Sequence, residues 1–184
     1  MAHETKVGQM HKAAFKLAGL VAGTVALVGC AGGNPTVAAY VGAETISQAK
    51  VDGVARVLAD ATADATDTAG GYGQTVVAIL VQSKLAAQAA ATKGITVSDA
   101  ERQQVYDSNE LYTVLLNNPA TADFMREYAN TAVIFSTEEG KAGVNELLGK
   151  TTITVNPRLG TWDAAMGGVV QGSTGSLSEL ASAK

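Results

Sequence analysis

The sequence predicts a mostly α-helical domain of about five helices, closed by a small two-stranded antiparallel sheet that pairs the N- and C-terminal ends of the domain. The chain has 184 residues, of which 47% are hydrophobic, enough for the core of one domain. Between residues 47 and 148 apolar side chains recur at helical spacing, while residues 37–41 and 151–155 are β-prone. Because an isolated strand leaves its backbone hydrogen-bonding groups unsatisfied, we expect these two segments to pair with each other.

The amino-terminal segment resembles a secretory signal that ends in a lipidation site. Three lysines lie among residues 1–16, and the run from residue 17 to residue 29 carries no charge. Crossing the hydrocarbon core takes about 20 apolar residues in a helix, so this run is too short for a stable span. It ends in Leu-Val-Gly-Cys at residues 27–30, which resembles the lipobox of bacterial lipoproteins. The resemblance implies cleavage after residue 29 and lipidation of Cys30; the alternative is a buried N-terminal helix with an incidental thiol.

Loss of residues 1–29 would remove side chains that catalysis and metal binding commonly use. The segment carries three lysines, one glutamate and both histidines, His3 and His11, so its removal changes the net charge from -4 to -6. The remaining chain has no histidine, and its one cysteine is the expected lipidation site. Ser-His-Asp and Cys-His catalysis and histidine-ligated zinc are thereby excluded, and the acidic balance argues against nucleic-acid binding. We expect no enzymatic activity, no cofactor and no metal; an acid-only glycosidase is the remaining catalytic alternative.

The first half of the domain is expected to hold a strand and two helices. Residues 30–36 form a flexible tether and residues 37–41 a strand, after which Ser47 caps a helix with an apolar inward stripe. Residues 61–72 are acidic and glycine-containing, which is typical of a mobile loop. Residues 76–93 are apolar enough for a buried helix that ends at Gly94.

The second half is expected to hold three helices and the closing strand. Ser98 and Glu101 form a capping box that opens a helix running to residue 117, and a helix with Phe124 and Tyr128 on one face follows. A second capping box at residues 136–139 opens a helix to residue 148. Residues 151–155 are the closing strand, and the Gly/Ser-rich residues 164–184 are predicted to be a disordered tail.

Three segments resemble the N-terminal chaperone domain of SurA/PrsA-type extracytoplasmic foldases. Residues 39–47 are similar to the family's entry from strand to helix, although the usual Asn is missing. Residues 86–101 are similar to its junction between two helices, and Val-Asn-Pro-Arg-Leu-Gly-Thr-Trp at residues 155–162 is similar to its ending, with Leu159 in place of an aromatic residue. The resemblance covers residues 37–163 and implies a peptide-binding chaperone module. Residues 146–151 leave no room for a parvulin domain, so it implies no prolyl isomerase activity.

Aromatic side chains provide the candidate site. Tyr112, Phe124 and Tyr128 lie at helical spacing, which is typical either of a core stripe or of an apolar groove for unfolded chains. Arg158 and Trp162 form a second group, which either belongs to a peptide-contacting surface or is structural. In the structural alternative, Arg158 pairs with an acid on a helix and Trp162 packs to hold the closing strand in place. We select all five residues as candidates for peptide binding.

The predicted function is that of a chaperone-like module, lipid-anchored through Cys30 on the extracytoplasmic face of the bacterial cell membrane. Its partners would be unfolded or nascent secreted polypeptides, and it would use neither nucleotide nor covalent chemistry. The first alternative is a scaffolding lipoprotein that docks one folded envelope partner. The second is a carrier of a small ligand in a closed apolar cavity.

Overall fold

The structure, a computed structural model, describes residues 34–62 and 69–170, which form a mostly α-helical fold with a small sheet, as the sequence predicts. The helices of these residues are α1 (Gln48–Thr62), α2 (Ala69–Lys93), α3 (Asp99–Asp107), α4 (Glu110–Asn117), α5 (Ala122–Ser136) and α6 (Glu138–Leu148). The strands are β1 (Val37–Val41), β2 (Glu44–Ser47), β3 (Ile153–Val155), β4 (Thr161–Asp163) and β5 (Gly168–Val170).

The expected pairing of the two ends of the domain is confirmed. Strand β1 pairs with β3 in antiparallel register, with Val41 opposite Ile153 and Ala39 opposite Val155. The side-chain amide of Asn156 extends this pairing by donating to the carbonyl oxygen of Val37 at 3.1 Å. The sheet has a third strand, since β1 turns back into β2 and the strand order is β2-β1-β3.

Helix α2 is the centre of the domain, because it contacts α1, α5, α6 and strands of both sheets. Leu80, Val81 and Leu85 on this helix are fully buried. Residues 72–93 are long and apolar enough to cross a membrane by length and composition alone, but their packing is that of a core helix. The predicted end at Gly94 is confirmed by the left-handed backbone there (φ 70°).

The prediction of a loop over residues 61–72 is wrong at both ends of this stretch. Helix α1 continues to Thr62 and α2 already begins at Ala69, while residues 63–68 lie outside the described part. Its two acidic residues, Asp64 and Asp67, and its two glycines made the whole stretch resemble a loop. Ser47 caps α1 as predicted, by accepting from the backbone N–H of Lys50 at 3.2 Å.

The helix predicted from residue 98 to residue 117 is two helices, α3 and α4. The capping box of Ser98 and Glu101 is present at the start of α3. Helix α3 ends at Asp107, and the side chain of Asn109 then accepts from the N–H of Leu111 and caps a new helix. A short polar side chain with its own backbone hydrogen bond therefore interrupts an otherwise continuous helical pattern.

The second predicted capping box is displaced by one residue. Thr137, rather than Ser136, caps α6 by accepting from the N–H of Gly140, so no glutamate stands where the reciprocal bond requires one. A Cβ at Gly140 would overlap the carbonyl oxygen of Ile134. The turn between α5 and α6 therefore requires glycine at this position.

The ordered domain extends beyond residue 163, which corrects the predicted start of the disordered tail. Strands β4 and β5 form an antiparallel hairpin in which Trp162 faces Val169. Asp163 accepts from the N–H groups of two turn residues, and Gln82 of α2 donates to the carbonyl oxygen of Gly167. These bonds order residues 164–170 despite their glycine content. Residues 171–184 and residues 1–33, including the predicted signal and Cys30, lie outside the described residues.

Candidate functional site

An open apolar pocket of about 190 Å³ lies among helices α1, α2, α4 and α5. Three of the five candidate residues line it, although they come from two different helices. Its lining consists of Leu58, Tyr72, Thr75, Ile79, Leu111, Tyr112, Leu115, Phe124, Met125 and Tyr128. The structure therefore brings Tyr112, Phe124 and Tyr128 together, which helical spacing alone left open.

Tyr112 and Tyr128 form one wall of the pocket. Their ring centroids are 5.2 Å apart with an angle of 59° between the ring planes, a tilted arrangement that is favourable for aromatic pairs. The two hydroxyl oxygens are 3.0 Å apart and share a hydrogen bond. Both side chains are half-buried, so each ring presents part of its surface to the pocket.

The interior end of the pocket belongs to the core. Phe124 is only 3% exposed, and Leu115 and Met125 beside it are buried. The fully buried Thr121 joins the two helices that carry these residues, because its hydroxyl donates to the carbonyl oxygen of Leu115. This bond fixes the start of α5 against the end of α4 and thereby sets the position of the aromatic residues.

A second, wider depression of about 440 Å³ lies beside the same tyrosine pair. Tyr112 and Tyr128 line both depressions. The other residues of the second one are Glu101, Gln104, Val105, Ser108, Ala132, Val133 and Ser136. The tyrosine pair therefore separates an apolar pocket from a neighbouring depression with a more polar lining.

The hydrogen bond between the tyrosines also affects their ionisation. It raises the pKa of Tyr128 to about 12, and burial of the ring adds to this increase. The Tyr128 hydroxyl is consequently protonated and uncharged at neutral pH. The shared wall presents aromatic surface and hydroxyl groups, which suit apolar side chains and polar backbone groups alike.

A third cavity, of about 300 Å³, lies between α2, α5 and the segment that joins α2 to α3. Arg102 and Asn130 meet at its edge, with the guanidinium 3.0 Å from the amide oxygen, and Glu127 binds Lys50 through both carboxylate oxygens at 2.9 Å. The hydroxyls of Ser83 and Thr131 meet inside at 2.9 Å. Residue spacing does not predict this polar group; its one local signal is Ser83 within the apolar run of α2.

Arg158 and Trp162 do not line the apolar pocket. Arg158 is exposed and makes no ion pair with any residue in 34–62 or 69–170. Trp162 is half-buried in strand β4 and packs against the core, with its Nε1 buried and without a hydrogen-bond partner in the described part. The packing of Trp162 fits the alternative in which it holds the closing strand in place, whereas the pairing of Arg158 with a helix-borne acid, which the same alternative expects, is absent among the described residues.

Within the described ranges, no three histidine, cysteine, aspartate or glutamate side chains are grouped so that they could hold a metal ion. Comparison with known proteins adds no family, since no family model, no curated protein and no solved structure matches the chain. The site is therefore interpreted from its own geometry.

Proposed function

We propose that this domain binds apolar segments of non-native polypeptides, as a lipid-anchored, extracytoplasmic chaperone-like module of the SurA/PrsA type without prolyl isomerase activity. The observation that carries the proposal is the convergence of Tyr112, Phe124 and Tyr128 on one open apolar pocket. Open apolar surface lined by aromatic residues is what binding of unfolded chains requires.

The dimensions of the apolar pocket favour a single side chain over a small-molecule ligand. The apolar pocket, at about 190 Å³, is smaller than the roughly 300–1,000 Å³ of typical small-molecule sites. A second depression lies directly beside it, across Tyr112 and Tyr128. An extended segment would place one apolar side chain in the pocket and continue along the depression.

The expected affinity is low. Burial of one leucine or phenylalanine side chain contributes about 1.5–3 kcal/mol, and the ordering of a flexible segment opposes it. Binding through a few such side chains falls in the micromolar to millimolar range. Affinity of this order suits a protein that releases its clients without nucleotide.

A pair of aspartate substitutions on helix α4 tests the pocket. Leu111 lines the pocket, whereas Val114 on the same helix is 56% exposed and outside it. Aspartate near the start of a helix is favoured by the helix dipole, so Leu111→Asp introduces charge into the pocket while helix α4 is retained. We expect Leu111→Asp to weaken binding of an unfolded peptide by about tenfold or more, and Val114→Asp to leave it unchanged.

The assay is suppression of light scattering by a chemically denatured model enzyme, with the purified full-length chain and both variants. Equal suppression by Leu111→Asp and by the parent chain would show that the pocket is not the binding surface. If the parent chain suppresses nothing and binds no unfolded peptide, the proposed function is wrong. Crosslinking in cells that captures one dominant folded partner would instead favour the scaffolding alternative.

Membrane attachment is a separate part of the proposal and has its own test. Lipidation of Cys30 would anchor the domain in the bilayer. Each buried methylene of an acyl chain contributes about 0.8 kcal/mol, so several acyl chains give stable attachment. We expect Cys30→Ala to move the protein from the membrane fraction to the soluble fraction. Unchanged fractionation would overturn the lipid anchor and leave the pocket proposal intact.

A further inference from the structure

The surface around the tyrosine pair carries an excess of negative charge. Helices α3, α4 and α5 hold six acidic residues and two basic ones in residues 99–136. Both bases are neutralised on their own helices, Arg102 by Asp99 and Arg126 by Asp123. Glu127 is likewise neutralised, by Lys50 of α1.

Three acids of these helices make no ion pair with any described residue: Glu101, Asp107 and Glu110. All three are exposed. Glu101 lines the wider depression together with Tyr112 and Tyr128, and Glu110 immediately precedes the two pocket residues Leu111 and Tyr112. Of the three, Glu101 lies at the rim of the candidate site, and Glu110 lies on α4 next to the pocket residue Leu111.

The Glu101 carboxylate is held in place and in its ionised form. Its Oε2 accepts from the hydroxyl and the backbone N–H of Ser98, at 2.6 and 2.7 Å. These hydrogen bonds lower the pKa of Glu101. The other oxygen, Oε1, has no hydrogen-bond partner in the described part of the chain, so a cation that approaches the depression meets a fixed acceptor that makes no ion pair there.

We infer that the site selects apolar segments flanked by lysine or arginine over the same segments flanked by acidic residues. This inference rests on the proposed function and names the chemistry of the client. Apolar side chains enter the pocket, and a neighbouring basic side chain lies along the wider depression near Glu101. Fixed charges at a rim accelerate and strengthen the encounter with an oppositely charged partner, and salt weakens this effect.

The test uses three peptides that share one apolar core and differ in flanking residues: lysine pairs, serine pairs or glutamate pairs. With the full-length chain at low salt, we expect the lysine-flanked peptide to bind most tightly and the glutamate-flanked peptide most weakly, with about a tenfold difference between them. At about 1 M salt, where the screening length is about 3 Å, the three affinities should converge.

Two matched variants localise the effect. Glu101→Gln removes the charge but keeps the capping box, since glutamine serves at the same position. Glu139→Gln makes the same change in net charge in the first turn of α6, at an exposed acid that lines none of the three depressions. We expect Glu101→Gln to reduce the preference for the lysine-flanked peptide about threefold and Glu139→Gln to leave it unchanged.

The outcomes separate this inference from the function on which it rests. Equal binding of all three peptides by the parent chain overturns the charge selectivity but leaves peptide binding in place. An equal loss of preference in both variants would trace the effect to net charge rather than to the rim, and would also overturn the inference. If none of the peptides binds, the proposed function itself fails.

Discussion

The closing end of the domain and the wall between its two depressions both carry aromatic side chains, but these side chains have different surroundings. Trp162 lies in a hairpin whose two strands pair through their backbones and whose turn is held by the carboxylate of Asp163. The preceding residue, Gly160, has no room for a Cβ beside the carbonyl oxygen of Val170. Tyr112 and Tyr128 are held chiefly by each other and by the α4–α5 junction, and two open depressions adjoin their rings. An aromatic residue surrounded by backbone constraints stabilises the fold, whereas one that adjoins open space is available to a partner.

Removal of the Trp162 side chain should have the largest effect on stability. Full burial of a tryptophan is worth about 3–5 kcal/mol, and Trp162 is half-buried, so we expect Trp162→Ala to lower the free energy of unfolding by about 2–3 kcal/mol. Urea unfolding measures this change, and Trp162→Phe should retain most of the stability. Lost peptide affinity without lost stability would instead place Trp162 in the binding surface.

A substitution at Gly160 tests whether the backbone of the same hairpin requires glycine. Its φ of 122° disfavours any side chain, and a Cβ would overlap the carbonyl oxygen of Val170. We expect Gly160→Ala to cost about 2 kcal/mol in urea unfolding. Gly149→Ala is the control, since Gly149 has φ -74° and the nearest atom to its Cβ is 3.8 Å away. Equal destabilisation by the two variants would contradict a special role for Gly160.

Removal of one hydroxyl group from the tyrosine pair should lower the stability of the protein. Tyr112→Phe removes the hydrogen bond to Tyr128 and keeps the ring, so we expect a loss of about 1 kcal/mol in the free energy of unfolding. Tyr40→Phe is the matched control, since its hydroxyl makes no hydrogen bond within residues 34–62 and 69–170. A loss of the same size in both variants would show that the hydrogen bond between Tyr112 and Tyr128 adds nothing specific.

The same hydrogen bond predicts a dependence of stability on alkaline pH. The pKa of Tyr128 is raised to about 12 in the folded protein from about 10 in an unfolded chain. The hydroxyl is protonated in both states below pH 10, so its contribution is fully present there and is lost as pH rises from about 10 to about 12. Denaturant midpoints across this range should fall less steeply for Tyr112→Phe, and parallel curves would contradict the assignment.

Substitution of Arg158 should have the smallest effect on the free energy of unfolding. Because its side chain is exposed and unpaired within the described residues, Arg158→Ala should change the free energy of unfolding by less than about 0.5 kcal/mol. Arg102→Ala is the contrast, because Arg102 donates to the Val97 carbonyl, Asn130 and Asp99. A marked loss of stability or peptide affinity in Arg158→Ala would give this residue a role that its surroundings do not show.

Local signals predicted most of the elements. The capping box of Ser98 and Glu101, the end of α2 at Gly94 and the cap of α1 at Ser47 depend on neighbouring residues alone, and all are present. The division between α3 and α4 was not predicted, because the helical spacing of apolar residues continues across it. Helix α4 begins where the side chain of Asn109 accepts a hydrogen bond from the N–H of Leu111. The β4–β5 hairpin was missed because packing against α2 orders residues whose composition is typical of a tail.

Local sequence patterns and tertiary packing therefore determine different features of this protein. Residue spacing, capping and β-branched runs specify helices and strands, since these elements form through contacts within a few residues. The pocket, the tyrosine hydrogen bond and the uncompensated acids depend on which helix faces are brought together by packing around α2, over separations that periodicity does not encode. Most helices and the strands β1 and β3 could therefore be predicted from the sequence, whereas the hairpin and the candidate site depend on tertiary contacts.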